Sequence, residues 1–271
     1  MSSINAAPQR PERVYGKIRV SDAGDVRTVT LFNPERRNAI GPQMVNELLY
    51  ALDDAQADDH VRTVVLTGEG KAFCAGGDFS QMTGGAGDGP SLPPKGDYAD
   101  LLLAMTRSEV PIVARVNGPA MGGGLGLVAA STFAIAEAGA PLGTPEINVG
   151  LFPMMIMAVL ARLVPRRKLL EMMLFGQKLT ADQALGLGLL NRVVPADELD
   201  AAVRTITDEI GKKSPSTMAL GLRAFALQDD LDLDKALPLL REKLAECLAT
   251  DDAREGLTAF LERRPPVWKG R

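Results

Sequence analysis

The chain has 271 residues, 46% of them hydrophobic, and a formal net charge of −4 at pH 7. That length and apolar content are enough to bury a sizeable core, in one large domain or in a domain with an appendage. The acidic balance argues against a general nucleic-acid surface, because phosphate binding needs a basic face. Local basic groups can still bind one small anionic ligand.

The N-terminus, MSSINAAPQRPERVYG, lacks the apolar segment of a secretory signal. The longest apolar run, residues 151–161, is too short to cross a bilayer, and we expect it to form a buried helix. The two cysteines, Cys74 and Cys247, allow at most one disulfide and provide no metal-ligand cluster, which excludes structural zinc. These features predict a cytoplasmic protein with no membrane segment and no metal site.

In chain order, residues 1–13 are expected to form a flexible N-terminal extension. The runs at 14–20 and 26–32, separated by SDAGD, predict a β-hairpin. Residues 42–57 carry apolar side chains at helical spacing, with Pro42 suited to the first turn. RTVVLTG, PIVARV and TFAIAEA then predict further strands. Strands that alternate with helices indicate an α/β fold.

The pattern changes near residue 197, after which four amphipathic segments with Asp or Ser start signals predict successive helices. We expect this tail, residues 197–271, to serve packing or assembly. Residues 82–96, MTGGAGDGPSLPPKG, are dense in Gly and Pro and predict a mobile surface loop.

The chain contains a single histidine, His60, between a predicted helix and a predicted strand. We interpret it as a residue at the C-terminal end of that helix, where a cationic ring suits the helix dipole. A histidine-based triad is therefore not expected, and carboxylates, thiols and backbone dipoles remain as sources of chemistry.

A glycine run, NGPAMGGGLGLVAA, begins at Asn117 just after a predicted strand. Gly124, Gly126 and Ala129 match the dinucleotide-binding pattern G-x-G-x-x-A, and Glu146 follows at a distance typical of its ribose-binding acid. The context disagrees, because other residues separate the strand from the first glycine and the acid follows a proline. We therefore reject a dinucleotide site.

A second glycine-bearing turn occurs in LTGEGKAFCAGGDFSQM, residues 66–82. Both turns follow an apolar strand and run toward a helix, so each can present free backbone N–H groups. Two such groups that converge on one point form an oxyanion hole, for which glycine allows the closest approach. Tight turns with close helix packing explain the same spacing equally well.

These two turns, together with NPERRNAI at residues 33–40, resemble the paired signatures of the enoyl-CoA hydratase/isomerase (crotonase) family. The resemblance extends from about Val14 to Arg271 and includes GLGLLNRVVP at residues 186–195. It implies a spiral core of ββα turns at residues 14–196, followed by a helical trimerisation region at 197–271. It also implies trimers or hexamers.

The resemblance further implies an acyl-CoA thioester substrate, with coenzyme A as part of that substrate and no tightly bound cofactor. Carried over by position, the two oxyanion N–H donors are Gly77 and Gly123, and the catalytic carboxylate is Glu146. The residues that correspond to the coenzyme A contacts are Arg36, Arg37, Ala39, Ala75, Asp78 and Phe79. The two arginines are plausible partners for its phosphates.

The chain departs from the hydratase pattern at one catalytic position. Hydratases of this family carry a second glutamate three residues after the oxyanion glycine, where this chain has Gly126. Pro153 is followed by Met154 and Met155 rather than by a glycine that helps to hold water, which predicts a drier and fuller site. Ordinary core packing is the more common explanation for such methionines, since Met often fills irregular gaps.

One carboxylate is enough to move a double bond, because it can take a proton from one carbon and return it to another. The pattern therefore favours an enoyl-CoA isomerase with Glu146 as its base. An enoyl-CoA hydratase is the alternative, with Thr144 or Asn148 assisting water addition, and decarboxylases and other enolate-forming members also use one glutamate. An RNA-binding member, disfavoured by the acidic charge, and a non-catalytic scaffold complete the alternatives.

Overall fold

The computed structural model of the chain describes residues 13–78 and 92–271. Its strands are β1 (Ile18–Ala23), β2 (Val26–Leu31), β3 (Thr63–Gly68), β4 (Ile112–Val116), β5 (Ala120–Met121), β6 (Phe133–Glu137), β7 (Leu142–Gly143), β8 (Lys178–Leu179) and β9 (Arg192–Val194). Six of these strands form one sheet in the order β1-β2-β3-β4-β6-β9. A smaller sheet has the order β5-β7-β8.

The strand pairing confirms the predicted hairpin and the strands that follow it. β1 and β2 are antiparallel, with Ile18 opposite Leu31. Their turn contains Gly24 at φ +64°, a left-handed conformation that favours glycine. All other neighbours in the large sheet are parallel.

The helices are α1 (Pro42–Gln56), α2 (Tyr98–Thr106), α3 (Gly123–Ala130), α4 (Met154–Leu160), α5 (Arg166–Phe175), α6 (Ala181–Gly186), α7 (Leu199–Gly211), α8 (Pro215–Gln228), α9 (Leu233–Leu248) and α10 (Asp251–Glu262). Short 3₁₀ helices occupy Pro34–Arg36, Pro145–Val149 and Ala196–Glu198. The helix predicted at 42–57 is α1, and α7 to α10 are the four helices predicted after residue 197. The alternation of strands and helices confirms the α/β class.

Helices cover both faces of the large sheet, so β3 is buried along its whole length. Val64 and Leu66 belong to the main core, which includes side chains of α1 and α2. Val65 belongs to a second cluster on the other face, where it joins Val113 and the apolar side of α7. A strand covered on both faces reads as a continuous apolar run, which is the pattern of TVVLTG.

The C-terminal helices differ in how much they bury. α7 packs on the sheet through Leu199, Val203 and Ile210, so the predicted border between residues 196 and 197 falls just before a helix that covers the sheet. α8, α9 and α10 instead leave large apolar side chains exposed. These are Phe225, Leu227, Leu233, Leu237, Leu244, Leu248, Leu257, Phe260 and Leu261. A helical region with so much exposed apolar surface is typical of an interface.

Two segments predicted to be mobile are partly held. Arg13, the last residue of the predicted N-terminal extension, forms an ion pair with Asp54 at 2.8 Å, and residues 1–12 lie outside the described residues. In the predicted loop at 82–96, Asn46 Nδ2 of α1 donates to the carbonyl oxygens of Leu92 and Pro93 at 3.2 and 2.9 Å. Residues 82–91 of that loop lie outside the described residues.

The apolar run at 151–161 forms α4, but the prediction of a fully buried helix was wrong. Met154 and Met155 are 63% and 44% exposed, whereas Ile156 is buried. The difference arises because only one face of α4 packs against the core.

His60 is exposed in a turn beyond the end of α1, not in the helix as predicted. Within residues 13–78 and 92–271, no helix is both long and apolar enough to cross a membrane.

Candidate active site

Two glycine-bearing turns lie side by side, as the family resemblance implies: the first turn is residues 74–78 and the second turn is residues 119–124. The N–H of Cys74 donates to the carbonyl of Pro119 at 3.0 Å, and the N–H of Met121 donates back to Cys74 at 2.9 Å. A Cβ atom added at Gly124 would lie 2.5 Å from the Cys74 carbonyl oxygen. Glycine at position 124 therefore allows the two turns to meet.

The thiol of Cys74 is not a candidate nucleophile. Cys74 is fully buried, and burial raises the pKa of its thiol to about 12. A thiol with that pKa stays protonated at neutral pH, whereas the thiolate is the reactive form. Among the chemical options left by the composition, carboxylates and backbone dipoles therefore remain at this site.

In the first turn, a short parallel bridge sets the direction of the Gly77 peptide. Ile40 donates its N–H to the carbonyl of Gly76 at 2.8 Å and accepts from the N–H of Asp78 at 2.7 Å. Because backbone groups alternate in an extended segment, the N–H of Gly77 points away from Ile40. Among residues 13–78 and 92–271 it has no acceptor, which makes it a candidate donor to a ligand.

In the second turn, Gly123 is the first residue of α3, where helix geometry leaves an N–H without an internal partner. Gly122 precedes it with φ +50°, and the N–H of Gly122 donates to the carbonyl of Gly143 at 2.9 Å. No residue in the described part of the chain accepts from the N–H of Gly123. Gly77 and Gly123 are also partly exposed, whereas Gly76, Gly122 and Gly124 are buried.

Glu146 brings one carboxylate to the second turn. It lies in the 3₁₀ helix Pro145–Val149, and a Cβ atom added at Gly122 would be only 2.6 Å from its Oε1. Its Oε2 is buried and has no hydrogen-bond partner among the described residues. Burial raises the pKa of this carboxyl above its ordinary value of 4.5. Because Oε2 has no internal donor, this carboxylate oxygen is available to a ligand proton.

The raised pKa predicts that Glu146→Gln stabilises the folded protein at neutral pH. Above the ordinary pKa the unfolded state ionises Glu146 more readily, so the wild type loses stability as pH rises through the higher folded-state pKa. Thermal unfolding at fixed protein concentration should give a higher midpoint for the variant at about pH 7 and equal midpoints near pH 4. A difference that grows toward acid pH would contradict this origin.

The space next to Gly126, where hydratases of the family have a second glutamate, is closed. A Cβ atom added there would lie 2.3 Å from Tyr98 Oη and 2.4 Å from Ile156 Cγ2. Both distances are far inside van der Waals contact, so no side chain fits while these two residues keep their places. The missing carboxylate is evident from the sequence, whereas Tyr98 is not, because no sequence pattern connects it with Gly126.

The side chains predicted to assist water addition are not directed to the carboxylate. Thr144 is fully buried, and its hydroxyl donates to the carbonyl of Met172 at 3.2 Å. Asn148 is exposed, and its amide packs against Gly176. Of the residues after Pro153, Ile156 rather than a methionine fills the site, while Met154 and Met155 are exposed.

The predicted coenzyme A contacts lie along the edge of the first turn. Arg36 forms an ion pair with the buried carboxylate of Asp78, with its Nη1 3.0 and 3.1 Å from the two carboxylate oxygens. The N–H of Ala75 donates to the carbonyl of Arg37 at 2.9 Å, which fixes Arg37 beside this turn. Ala39 follows two residues later and donates its N–H to Arg36. Phe79 lies outside the described residues.

Asn38 connects these segments and was not singled out from the sequence. It is fully buried with φ +57°. Its Nδ2 donates to the carbonyls of Glu69 and Ala72 at 2.9 and 2.8 Å, and its Oδ1 accepts from the N–H of Asn33 at 3.0 Å. One amide therefore holds the arginine segment against the chain that enters the first turn. Asparagine within NPERRNAI, a short polar residue that tolerates left-handed backbone, was the signal available.

Comparison with known proteins identifies the class. A sequence profile described as Enoyl-CoA hydratase/isomerase matches residues 22–271, nearly the whole chain. The chain therefore belongs to the enoyl-CoA hydratase/isomerase family, whose substrates are acyl-CoA thioesters. Its α/β core with a helical C-terminal region is the crotonase fold that the resemblance implied.

Individual relatives align with this chain over most of their lengths. The chain is 33% identical over 265 residues to the mitochondrial enoyl-CoA hydratase domain-containing protein 3 of Rattus norvegicus, which covers 97% of this chain and 88% of that protein. The crystal structure of an enoyl-CoA hydratase from Mycobacterium smegmatis superposes with a TM-score of 0.85 at 33% identity, over 93% of this chain and 99% of that one. The human domain-containing protein 3 gives a TM-score of 0.85 at 30% identity, over 93% and 100%.

Proposed function

We propose that the protein moves the double bond of an enoyl-CoA thioester, with Glu146 as the single base and the N–H groups of Gly77 and Gly123 as the oxyanion hole. The observation that carries this proposal is the closed space at Gly126 beside one buried, unpartnered carboxylate oxygen. A site with room for only one carboxylate suits a reaction that needs only one.

In the proposed reaction, Glu146 removes a proton from C2 of a 3-enoyl-CoA. The electron pair of that C–H bond enters the conjugated system, and the resulting dienolate carries its charge on the thioester oxygen between the two N–H donors. Glu146 then returns the proton to C4 on the same face. The double bond moves from C3–C4 to C2–C3, and no atom is gained or lost.

The environment of Glu146 supports its use in both directions. Burial raises the pKa of its carboxyl, which brings the base closer to the pH at which it works. An unpartnered Oε2 has no internal donor to displace before it accepts a substrate proton. A carboxylate held in an ion pair would have the opposite properties: its pKa would be lowered, and its oxygen would already be bonded to the cation.

Hydration is the second candidate, and the printed names of the relatives favour it. Water addition in two-glutamate hydratases uses one group to activate water and another to deliver a proton to carbon. Here the Thr144 hydroxyl is committed to Met172, and the Tyr98 hydroxyl donates to Gly123 at 2.5 Å. With neither hydroxyl free, the described residues favour isomerisation over hydration.

Coenzyme A is proposed to run along the first turn, past Arg36, Arg37, Ala39, Ala75, Asp78 and Phe79. Arg37 is exposed, while its carbonyl is fixed by Ala75. We expect Arg37→Ala to raise KM for the thioester about three- to tenfold with kcat unchanged, because a phosphate contact is the same in the ground and transition states.

A thioester of N-acetylcysteamine, which lacks the phosphates, is the matched control for Arg37→Ala and should show no change in KM. Arg167→Ala removes an exposed arginine from α5, away from the first turn, and should leave both substrates unaffected. An equal rise in KM for the substrate without phosphates would remove Arg37 from the coenzyme A site.

The exposed apolar residues of α8 to α10 support the proposal of a homotrimer or a dimer of trimers. Light scattering should then give three or six times the chain mass of 28.8 kDa, and the mass of a monomer would exclude a trimer or hexamer.

A cytoplasmic location stays a prediction from the N-terminal sequence and the cysteines. The name of the rat relative places that protein in mitochondria.

The non-enzymatic alternatives make different predictions. An RNA-binding protein would retain affinity for RNA at physiological salt, which the net charge of −4 disfavours. A non-catalytic scaffold would show no binding of an acyl-CoA by calorimetry.

The isomerase proposal is tested by NMR of the products formed from a 3-enoyl-CoA: a 2-enoyl-CoA is expected, and recovery of unchanged substrate would overturn the proposal.

A further inference from the structure

The second turn contains three consecutive glycines, Gly122 to Gly124, which have no side chains to hold their backbone. Glycine has the widest choice of backbone conformations, so contacts from neighbouring segments help to order this part of the turn. Backbone hydrogen bonds from Met121 and Gly122 fix the entry to the turn. At Gly123 the contact is a side chain, because Tyr98 Oη donates to the Gly123 carbonyl oxygen at 2.5 Å.

We propose that Tyr98 is a positioning residue for the oxyanion hole, whose hydroxyl holds Gly123 so that its N–H points at the thioester oxygen. The proposal rests on the oxyanion role assigned to Gly123 under the proposed function. Tyr98 would then have two roles. Its Oη occupies the space that a side chain at position 126 would need, and it holds the peptide donor at Gly123.

The ring of Tyr98 also lies next to Gly123. A Cβ atom added at Gly123 would lie 3.5 Å from both Cζ and Oη of Tyr98 and 3.7 Å from Ile40 Cδ1. These are ordinary contact distances for a methyl group, so the Tyr98 ring and Ile40 border the space beside Gly123.

Tyr98 is itself held at the start of α2. Asp97 caps this helix, accepting from the N–H groups of Ala99 and Asp100 at 2.8 and 3.1 Å, while Asp100 accepts from the N–H of Asp97. This reciprocal cap fixes the first helical turn, of which Tyr98 is the first residue. The hydroxyl therefore comes from a rigid element, as a positioning group requires.

The hydroxyl stays protonated and so remains a donor. Burial, followed by the neighbouring Cys74 and Glu146, raises the pKa of Tyr98 well above 10. A preorganised donor stabilises the enolate because no reorientation is needed as charge develops. Loosening Gly123 should therefore lower kcat more than it changes KM, since the charge on oxygen is largest in the transition state.

The test compares Tyr98→Phe with the wild type and with Tyr50→Phe, a control that removes a surface hydroxyl bonded to Pro93. Bound cinnamoyl-CoA reports carbonyl polarisation through a red shift of its absorption, and it has no proton for Glu146 to move. We expect Tyr98→Phe to lose at least half of that red shift and about tenfold or more in kcat, with KM within about twofold. Tyr50→Phe should match the wild type.

Gly126→Ala provides an independent variant, because its new Cβ would lie 2.3 Å from Tyr98 Oη and must displace it. The same loss of red shift is expected with the tyrosine still present, while Glu146→Gln should keep the full red shift. A wild-type red shift in Tyr98→Phe overturns the positioning role. If the wild type moves no double bond but its red shift still depends on Tyr98, the proposed function fails and the role of Tyr98 stands.

Discussion

Glu146→Gln is expected to lower kcat for the double-bond shift of a 3-enoyl-CoA by about a thousandfold, within the range of general acid–base catalysis. The amide cannot take the proton from C2, and no carboxylate at position 126 can replace it because Tyr98 and Ile156 fill the space beside Gly126. KM should change little, since the oxyanion donors belong to the backbone of Gly77 and Gly123.

The matched control is Glu171→Gln, which alters a partly exposed glutamate of α5 that pairs with Lys168. It should retain wild-type kcat. Steady-state rates measured from the rise of the conjugated 2-enoyl thioester absorption distinguish the two variants. Activity in Glu146→Gln within about tenfold of the wild type would mean that another group removes the proton.

Asn38→Ala is expected to lower the free energy of unfolding by about 3–5 kcal/mol. The substitution removes the bonds to Asn33, Glu69 and Ala72 and leaves the buried carbonyl of Ala72 and the partly buried backbone groups of Asn33 and Glu69 without this partner. Alanine must also adopt φ +57°, which costs about 1–2 kcal/mol for a residue other than glycine, asparagine or aspartate. Urea unfolding at fixed protein concentration measures the change.

Asn148→Ala is the control for this prediction, since Asn148 is exposed, and its effect should stay within about 0.5 kcal/mol. Because Asn38 joins the arginine segment to the first turn, folded Asn38→Ala protein should also have a higher KM for the coenzyme A thioester. A loss of less than about 1 kcal/mol would show that this amide does not hold the two segments together.

The parts of the fold that the sequence predicted are those specified by local patterns. The hairpin, α1, the strand TVVLTG and the four C-terminal helices follow from periodicity and turn residues, which act over a few positions. The meeting of the two glycine turns came from family resemblance, and the bridge between Cys74 and Ala120 is a contact between distant parts of the chain.

What the sequence could not show depends on distant packing. Tyr98 closes the space at Gly126 only because α2 lies beside α3, and no spacing rule connects these residues. The exposure of Met154 and Met155 likewise depends on which face of α4 meets the core. The sequence allows the Thr144 hydroxyl to assist water addition, but its burial and its hydrogen bond to Met172 depend on the folded structure.

The most direct test of the central claim is the ratio of two rates of the wild-type protein on substrates of equal chain length. We predict that kcat/KM for the double-bond shift of a 3-enoyl-CoA exceeds kcat/KM for hydration of the 2-enoyl-CoA by about a hundredfold or more. Faster hydration, undiminished by Glu146→Gln, would contradict a single-base isomerase.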